Sequence, residues 1–201
     1  PDEKWEKFEP PVTITHFQNP DSDFRGNHDL DFFRRYLAGI SPQDAGRFSF
    51  RLGYFFHLIT DNLWSQLVGH PTQERFPEQF AANPKFIWEV KDDWYGLDFI
   101  HVRDHPESLF WRVFLEAQPA GFDLDFLPKP ALEHQLNYIK TFYQRQDAEI
   151  QASYQRPYIY LSSADMDGFI TEATNRLFRI YQILWPTPPD LTGKASALEL
   201  L

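Results

Sequence analysis

The chain has 201 residues, enough for one sizeable core, and an aromatic content of 17% indicates an ordered, well-filled interior. Acidic residues outnumber basic ones, 29 to 19, and the formal net charge of -10 argues against nucleic acid as a partner, because phosphate binding requires clustered Lys and Arg. The absence of Cys excludes a disulfide scaffold, a thiolate zinc site and a Cys nucleophile, so any metal has to be bound by His, Asp, Glu or backbone atoms.

The first part of the chain predicts irregular structure followed by a helix. Residues 1–27 contain four Pro and several turn-forming residues, which is typical of a long ordered loop. From His28 onward, "HDLDFFRRYLAGI" places apolar residues at helical spacing, and Gly39 suits the end of that helix.

A long helix is predicted next. Ser41 suits the N-cap, Pro42 the first helical position and Asp44 the positive helix end, and the apolar pattern continues to Gly69. Because little polar face remains, we expect this helix at the centre of its domain. Its apolar positions are Phe48, Leu52, Phe55, Phe56, Ile59, Leu63 and Leu67.

The rest of the chain also favours helices. The predicted spans are 84–100, 106–118, 130–153 and a last helix capped by Ser162 or Ser163 and ending at Trp185. Only "RPYIYL" is β-like, and one strand makes no sheet. We therefore predict an all-α fold, with residues 1–185 as a single helical metal-binding domain and residues 186–201 as a C-terminal tail.

No apolar run reaches the roughly 18 residues that a transmembrane helix needs, so we expect no integral membrane segment. The lack of Cys fits a reducing or an oxidising compartment, and the cytoplasm is slightly favoured. Because the sequence begins without Met, a removed leader stays an alternative. The oligomeric state is not predicted.

An imidazole and a carboxylate interrupt the apolar stretch "GYFFHLITDNLW". His57 and Asp61 are four residues apart, which places both on one helical stripe with Cβ atoms about 5–6 Å apart. One nitrogen and one carboxylate oxygen could then reach a shared cation about 2.0–2.2 Å from each. A direct His–Asp hydrogen bond would also offset the cost of burying the pair, so spacing alone leaves both interpretations open.

A second motif gives this pair a wider context. The segment "HFQNPD" upstream and "LGYFFHLITD" downstream together resemble the zinc-dependent phospholipase C family, including bacterial phospholipase C-like hydrolases. That family has a His-Phe-x-x-Pro-Asp segment followed by a Leu-Gly-x-x-x-His-x-x-x-Asp helix. The matching residues, confined to the N-terminal third of the chain, are His16, Phe17, Pro20, Asp21, Leu52, Gly53, His57 and Asp61.

The resemblance implies a compact helical fold, shared with single-strand-specific nucleases, that holds zinc in a cleft and uses a metal-bound water to attack a phosphodiester. It makes His16, His57 and Asp61 metal ligands and points to Asp2 as a further ligand. Asp2 or Asp93 would act as the base that orients or deprotonates the water.

The chain also departs from the family pattern. Leu67 stands where the family has a further His, and His70 and Glu74 form the only His-x3-Glu pair, too early in the chain and next to a Pro that predicts a surface loop. Trp5 is internal, whereas the family uses an N-terminal Trp. One metal, or a two-metal site completed by other residues, is therefore expected.

Other candidates for the site are less distinctive. Asp93 belongs to "KDDWYGLD", which predicts either a cleft lining or a helix end. His101 and His105 have ligand spacing but also suit a helix start, His28 suits a cap region, and His134 is expected to be exposed on an amphipathic helix.

These patterns favour a zinc-dependent hydrolase of a phosphoester, with a small phosphoester or a phospholipid head group as substrate. The alternative is a non-catalytic helical relative with a structural metal or none, acting in binding or assembly. A nuclease is a weaker alternative because basic residues are few.

Overall fold

The computed structural model describes residues 10–40, 43–118 and 124–201. In these ranges helices dominate and no β-strand forms, so the prediction of an all-α fold is confirmed for this part of the chain. No helix in the described ranges combines the length and the apolar character that crossing a membrane requires.

The N-terminal half begins with short helices. Helix α1 spans Val12–Thr15, and α2 spans Asp29–Phe32 and continues as a π-helical turn at Phe33–Leu37. Gly39, at φ 80°, ends this segment as its sequence predicted, because a left-handed conformation carries no Cβ penalty in Gly.

The long predicted helix is confirmed in position but differs at both ends. Helix α3 spans Ala45–Trp64, and Asp44 caps it by accepting a hydrogen bond from the Arg47 amide at 3.3 Å. The predicted cap residues Ser41 and Pro42 lie outside the described residues. After α3 the chain forms a π-helical turn at Ser65–Gly69 and then α4 at His70–Arg75. The His70 segment is thus helical rather than a surface loop, with its Pro in the first turn, where no amide donor is needed.

The remaining helices follow in chain order. They are α5 at Pro77–Ala82, α6 at Phe86–Asp104, α7 at Lys129–Phe142, α8 at Ala148–Ser153 and α9 at Ser163–Leu184. The predicted helix at 106–118 is reduced to a π-helical turn at Phe110–Phe114. The predicted helix at 130–153 is broken because Asp147 accepts from the Ile150 amide at 3.2 Å and starts a new helix there.

The chain divides into two compact units. The described residues of the first unit fall within Pro1–Val68, Gly121–Pro128 and Phe169–Leu201. Its core joins apolar residues of α2, α3 and α9, and the fully buried ones include Leu30, Phe32, Phe55, Ile59, Leu63 and Ile180.

The segment predicted as a tail contributes to this core. It contains a 3-10 helix at Ala197–Leu200 with a capping box between Ser196 and Glu199, and Ala197 is fully buried. The Asp29 carboxylate accepts hydrogen bonds from the Ser196 hydroxyl at 2.5 Å and the Ala197 amide at 2.7 Å, which ties this segment to the start of α2.

The second unit falls within Gly69–Ala120 and Lys129–Gly168. Its core is built mainly on α6, with Phe86, Val90, Leu97 and Phe99 buried.

Candidate metal centre

The first ligand candidate, His16, lies at the C-terminal end of α1. Its amide donates to the Val12 carbonyl at 2.8 Å, which closes the last helical turn. The next residue, Phe17, has φ 53°, a left-handed conformation that is unfavourable for a side chain with a Cβ. The chain therefore turns sharply directly after the imidazole.

Aromatic packing holds this unfavourable turn in place. The Phe17 ring meets the rings of Phe32, Tyr36 and Phe126 edge-on, with centroids 5.6, 6.1 and 5.2 Å away. Such contacts contribute about 0.5–1.5 kcal/mol each beyond area burial, enough to offset a backbone cost of about 1–3 kcal/mol. Unfavourable backbone conformations of this kind concentrate at functional sites.

Helix α3 supplies the other two candidates. Its buried face carries Phe55, Leu58, Ile59 and Leu63, and His57 and Asp61 lie on the opposite side. Helix α3 therefore contributes to the core as expected, but along one face only, and its other face is more exposed than the apolar pattern predicted. The His57 side chain is 50% exposed and that of Asp61 39% exposed, so the pair faces solvent at the surface of the unit.

The structure brings His16, His57 and Asp61 together. His16 Nε2 lies 3.3 Å from His57 Nε2 and 3.3 Å from Asp61 Oδ2, and one ligand atom from each residue lies within 4.8 Å of the other two. A tetrahedral zinc ion with ligands at about 2.0–2.1 Å requires ligand atoms about 3.3–3.4 Å apart. Two of the observed separations thus have the length of tetrahedral edges.

Neighbouring hydroxyl and amide groups position two of these side chains. Thr15 Oγ1 lies 2.9 Å from His16 Nδ1, and the same hydroxyl is 3.3 Å from the Val12 carbonyl oxygen. If Nδ1–H donates to Thr15, the Nε2 lone pair points at the other ligands, which is the tautomer that a metal needs. Asn27 Nδ2 lies 3.5 Å from Asp61 Oδ2 and 3.3 Å from the Leu58 carbonyl oxygen.

A buried polar network in turn holds Asn27. The backbone amide of Asn27 donates to Asn62 Oδ1 at 2.7 Å. Asn62 Nδ2 in turn donates to the backbone carbonyl of Asn27 at 2.8 Å and to Asp29 Oδ2 at 3.0 Å. Burial raises the pKa of the Asp29 carboxyl to about 7, opposed by hydrogen bonds from Ser196, Ala197 and Asn62. The loop that follows His16 and the start of α2 are thereby connected to α3 beside Asp61.

The imidazole of His57 is disposed to stay neutral. Partial removal of the imidazole from water lowers its pKa. The neighbouring Asp61 carboxylate opposes this effect, and His16 adds to it. The neutral imidazole is the form that binds a metal.

The other predicted site residues have different environments. Asp2 lies outside the described residues. Asp93 is fully buried in the second unit, where its carboxylate accepts from the Arg156 guanidinium at 2.5 Å and from the amides of Ile159 and Tyr160 at 2.8 and 2.7 Å. These contacts satisfy the carboxylate within the protein.

The remaining His candidates lie in environments that differ from one another. His28 is buried at the N-terminus of α2, with its Nδ1 3.6 Å from Asp31 Oδ2. His101 and His105 lie ring against ring at 4.5 Å in the second unit, and His134 is exposed on α7 as expected. Leu67, at the position where the resemblance calls for His, is 39% exposed in the π-helical turn.

Sequence reasoning did not identify Thr15, Asn27 or the Asp29 network. Thr15 precedes His16 directly, which was a local signal for a supporting hydroxyl. Asn27 and Asp29 reach α3 only through the tertiary fold, so no spacing in the sequence could reveal them.

Comparison with known proteins gives no further guide to the centre. No family model, no curated protein and no solved structure matches this chain.

Proposed function

We propose that this protein binds one zinc ion through His16, His57 and Asp61 and hydrolyses a phosphoester. The observation that carries the proposal is the convergence of three ligand atoms from two separate segments on a solvent-exposed side of the first unit, with His16 Nε2 lying 3.3 Å from both His57 Nε2 and Asp61 Oδ2. Two His and one carboxylate form a ligand set typical of catalytic zinc, which keeps a fourth position open.

The side chains of the centre have distinct roles in this proposal. His16 and His57 would each supply one imidazole nitrogen, and Thr15 would fix the His16 tautomer. A bound zinc ion lowers the pKa of its water to about 7. Asp61 Oδ1 lies 3.6 Å from His57 Nδ1, and under this proposal the same oxygen would orient a water beside the centre.

Phosphoester chemistry rests on the resemblance of the two motifs to the zinc-dependent phospholipases C. The substrate class under this proposal is a small phosphoester or a phospholipid head group. The open face of the centre supports a substrate that approaches from solvent, because half of the His57 side chain is exposed there.

A second candidate function is a non-catalytic relative with a structural metal. Leu67 favours it, because an exposed Leu replaces a ligand of the family pattern. The exposure of His57 and Asp61 favours the catalytic proposal, since structural zinc sites are usually closed by four protein ligands.

Zinc binding and hydrolysis can be measured on the same preparations. We expect metal-free protein to take up one zinc per chain in equilibrium dialysis and then to hydrolyse bis(4-nitrophenyl) phosphate. His57→Ala should abolish both. His134→Ala, the same substitution at an exposed His on α7, should change neither.

The outcomes separate the two functions. Zinc uptake that depends on His57, without hydrolysis of phosphomonoesters, phosphodiesters or phospholipids, would support the structural-metal alternative. Full zinc uptake and hydrolysis by His57→Ala would contradict both.

A further inference from the structure

A cavity of about 490 Å³ lies in the second unit, between α6, the π-helical turn at Phe110–Phe114 and α7. This volume is within the range of about 300–1,000 Å³ that is usual for small-molecule sites. Most of its lining is apolar and includes Val102, Leu109, Phe110, Val113, Phe114 and Ile139.

The mouth of the cavity exposes large apolar side chains. Leu109 is 72% exposed and Val113 is 56% exposed, and both line the cavity. Adjacent apolar side chains exposed at the mouth of a cavity are a feature of ligand sites.

Hydrogen bonds hold the wall in place. Trp111 Nε1 donates to the Val102 carbonyl at 2.7 Å, and the Lys140 ammonium donates to the Ala117 carbonyl at 2.6 Å. These bonds join the turn to α6 and α7, so the cavity is preformed. Lys140 is not part of the lining, and its ammonium group is held at the Ala117 carbonyl.

One carboxylate lies among these apolar groups. Asp98 Oδ2 accepts a hydrogen bond from the Tyr143 hydroxyl at 2.7 Å, which is the only hydrogen bond to this carboxylate from the described residues. Burial raises the pKa of Asp98, the Tyr143 hydrogen bond opposes this effect, and so does the charge of His101 one turn along α6. No Lys or Arg is among the lining residues, so the carboxylate has no permanent cation in the cavity.

Aromatic rings surround the same space. Phe110 meets Phe114 with centroids 5.9 Å apart and Tyr143 with centroids 6.0 Å apart, and all three line the cavity. The faces of such rings attract cations, and the attraction grows when the cation is removed from water.

From this combination we propose that the cavity binds an organic monocation, namely a primary ammonium group on an apolar aryl or alkyl body. The ammonium would donate to the oxygen of Asp98 that Tyr143 leaves unpaired, and the body would contact the aromatic and aliphatic wall. A neutral ligand would leave the carboxylate without a counter-charge, and an anion would be repelled by it. This site is independent of the proposed zinc centre.

The charge requirement can be tested with a matched pair of probes. We expect 4-phenylbutylamine to bind at least about tenfold more tightly than 4-phenyl-1-butanol in calorimetric titrations at pH 8, above the ordinary imidazole pKa of about 6.5. Methyl NMR shifts should place the amine at Val102 and Ile139. Asp98→Asn should remove the preference for the amine, whereas Asp104→Asn, at the exposed end of the same helix, should preserve it.

A second variant keeps the test decisive if Asp98→Asn does not fold. Val113→Lys adds a cation at the exposed rim and should weaken amine binding by at least about tenfold without weakening alcohol binding. Equal affinity for amine and alcohol in the parent protein would overturn the proposal. So would amine binding that Asp98→Asn and Val113→Lys both leave intact, or shifts confined to other methyl groups.

Discussion

Replacing Asp93 by Ala is expected to destabilise the second unit strongly. The substitution removes the acceptor of one charged hydrogen bond, from Arg156 at 2.5 Å, and of three backbone hydrogen bonds, from the amides of Ile159, Tyr160 and Leu161 at 2.8, 2.7 and 3.4 Å. Asp93 itself is fully buried, so the backbone amides would lose a partner that water cannot easily replace.

The size of the effect follows from these contacts. Removing one member of a buried ion pair costs about 3–5 kcal/mol. The Arg156 side chain is 32% exposed and can regain water, which favours the lower end, about 3 kcal/mol. Asp93→Asn should cost less, because it retains the shape and one acceptor oxygen.

Urea unfolding followed by far-UV circular dichroism measures the loss of stability, and hydrogen exchange at Ile159 and Tyr160 reports directly on the two shorter of the backbone hydrogen bonds. Asp104→Ala is the matched control on α6, since Asp104 is exposed, and it should leave the unfolding midpoint unchanged. An unchanged midpoint and unchanged amide protection in Asp93→Ala would refute the structural reasoning. Loss of hydrolysis in a variant of parental stability would instead support the catalytic role predicted for Asp93.

Three further predictions concern substitutions at single positions. Thr15→Val removes the hydroxyl beside the ligand imidazole, and zinc titration should show affinity about 10–100-fold weaker. In metal-free protein, the pKa of Asp29 is about 7 in the folded state against an ordinary value of 3.8. Protonation of Asp29 therefore stabilises the fold by about 4 kcal/mol below about pH 4. This contribution is lost as the pH rises through about 7. Asp29→Asn should therefore flatten the fall of urea midpoints between pH 4 and 7. Gly96→Ala places a Cβ against the Tyr158 ring and should cost about 1–3 kcal/mol, whereas Gly53→Ala meets no atom within 4 Å and should stabilise α3 by up to about 1 kcal/mol in the same unfolding assay.

Each of these predictions has a result that contradicts it. Thr15→Ser should retain zinc affinity, and equal affinity of the Val and parent proteins would remove Thr15 from the centre. A parental pH dependence in Asp29→Asn would show that this carboxyl does not titrate near pH 7. A thermal or urea midpoint that Gly96→Ala leaves unchanged would show that Tyr158 moves aside at little cost.

Local patterns predicted the parts of the fold that depend on local physics. Ser162 caps α9 as expected, because its hydroxyl accepts from the Asp165 amide at 3.1 Å, and Gly39 ends the segment after α2. The same physics was present but overlooked at Asp147, whose cap breaks the helix predicted to run to residue 153, and at the capping box of Ser196.

The candidate centre also has a part that the sequence predicted and a part that it did not. The four-residue spacing of His57 and Asp61 predicted a shared helical stripe, and the structure places both there. The meeting of His16 with that stripe depends on the left-handed turn at Phe17 and on distant aromatic contacts, which no spacing encodes. The exposure of the pair could not be predicted either, because it depends on which face of α3 packs against α2 and α9.

Crystals of the zinc-loaded protein, measured on both sides of the zinc absorption edge, test the central claim most directly. The account predicts one anomalous peak about 2.0–2.2 Å from His16 Nε2, from an imidazole nitrogen of His57 and from a carboxylate oxygen of Asp61. A zinc ion bound elsewhere, or these three side chains ordered around no ion at saturating zinc, would contradict it.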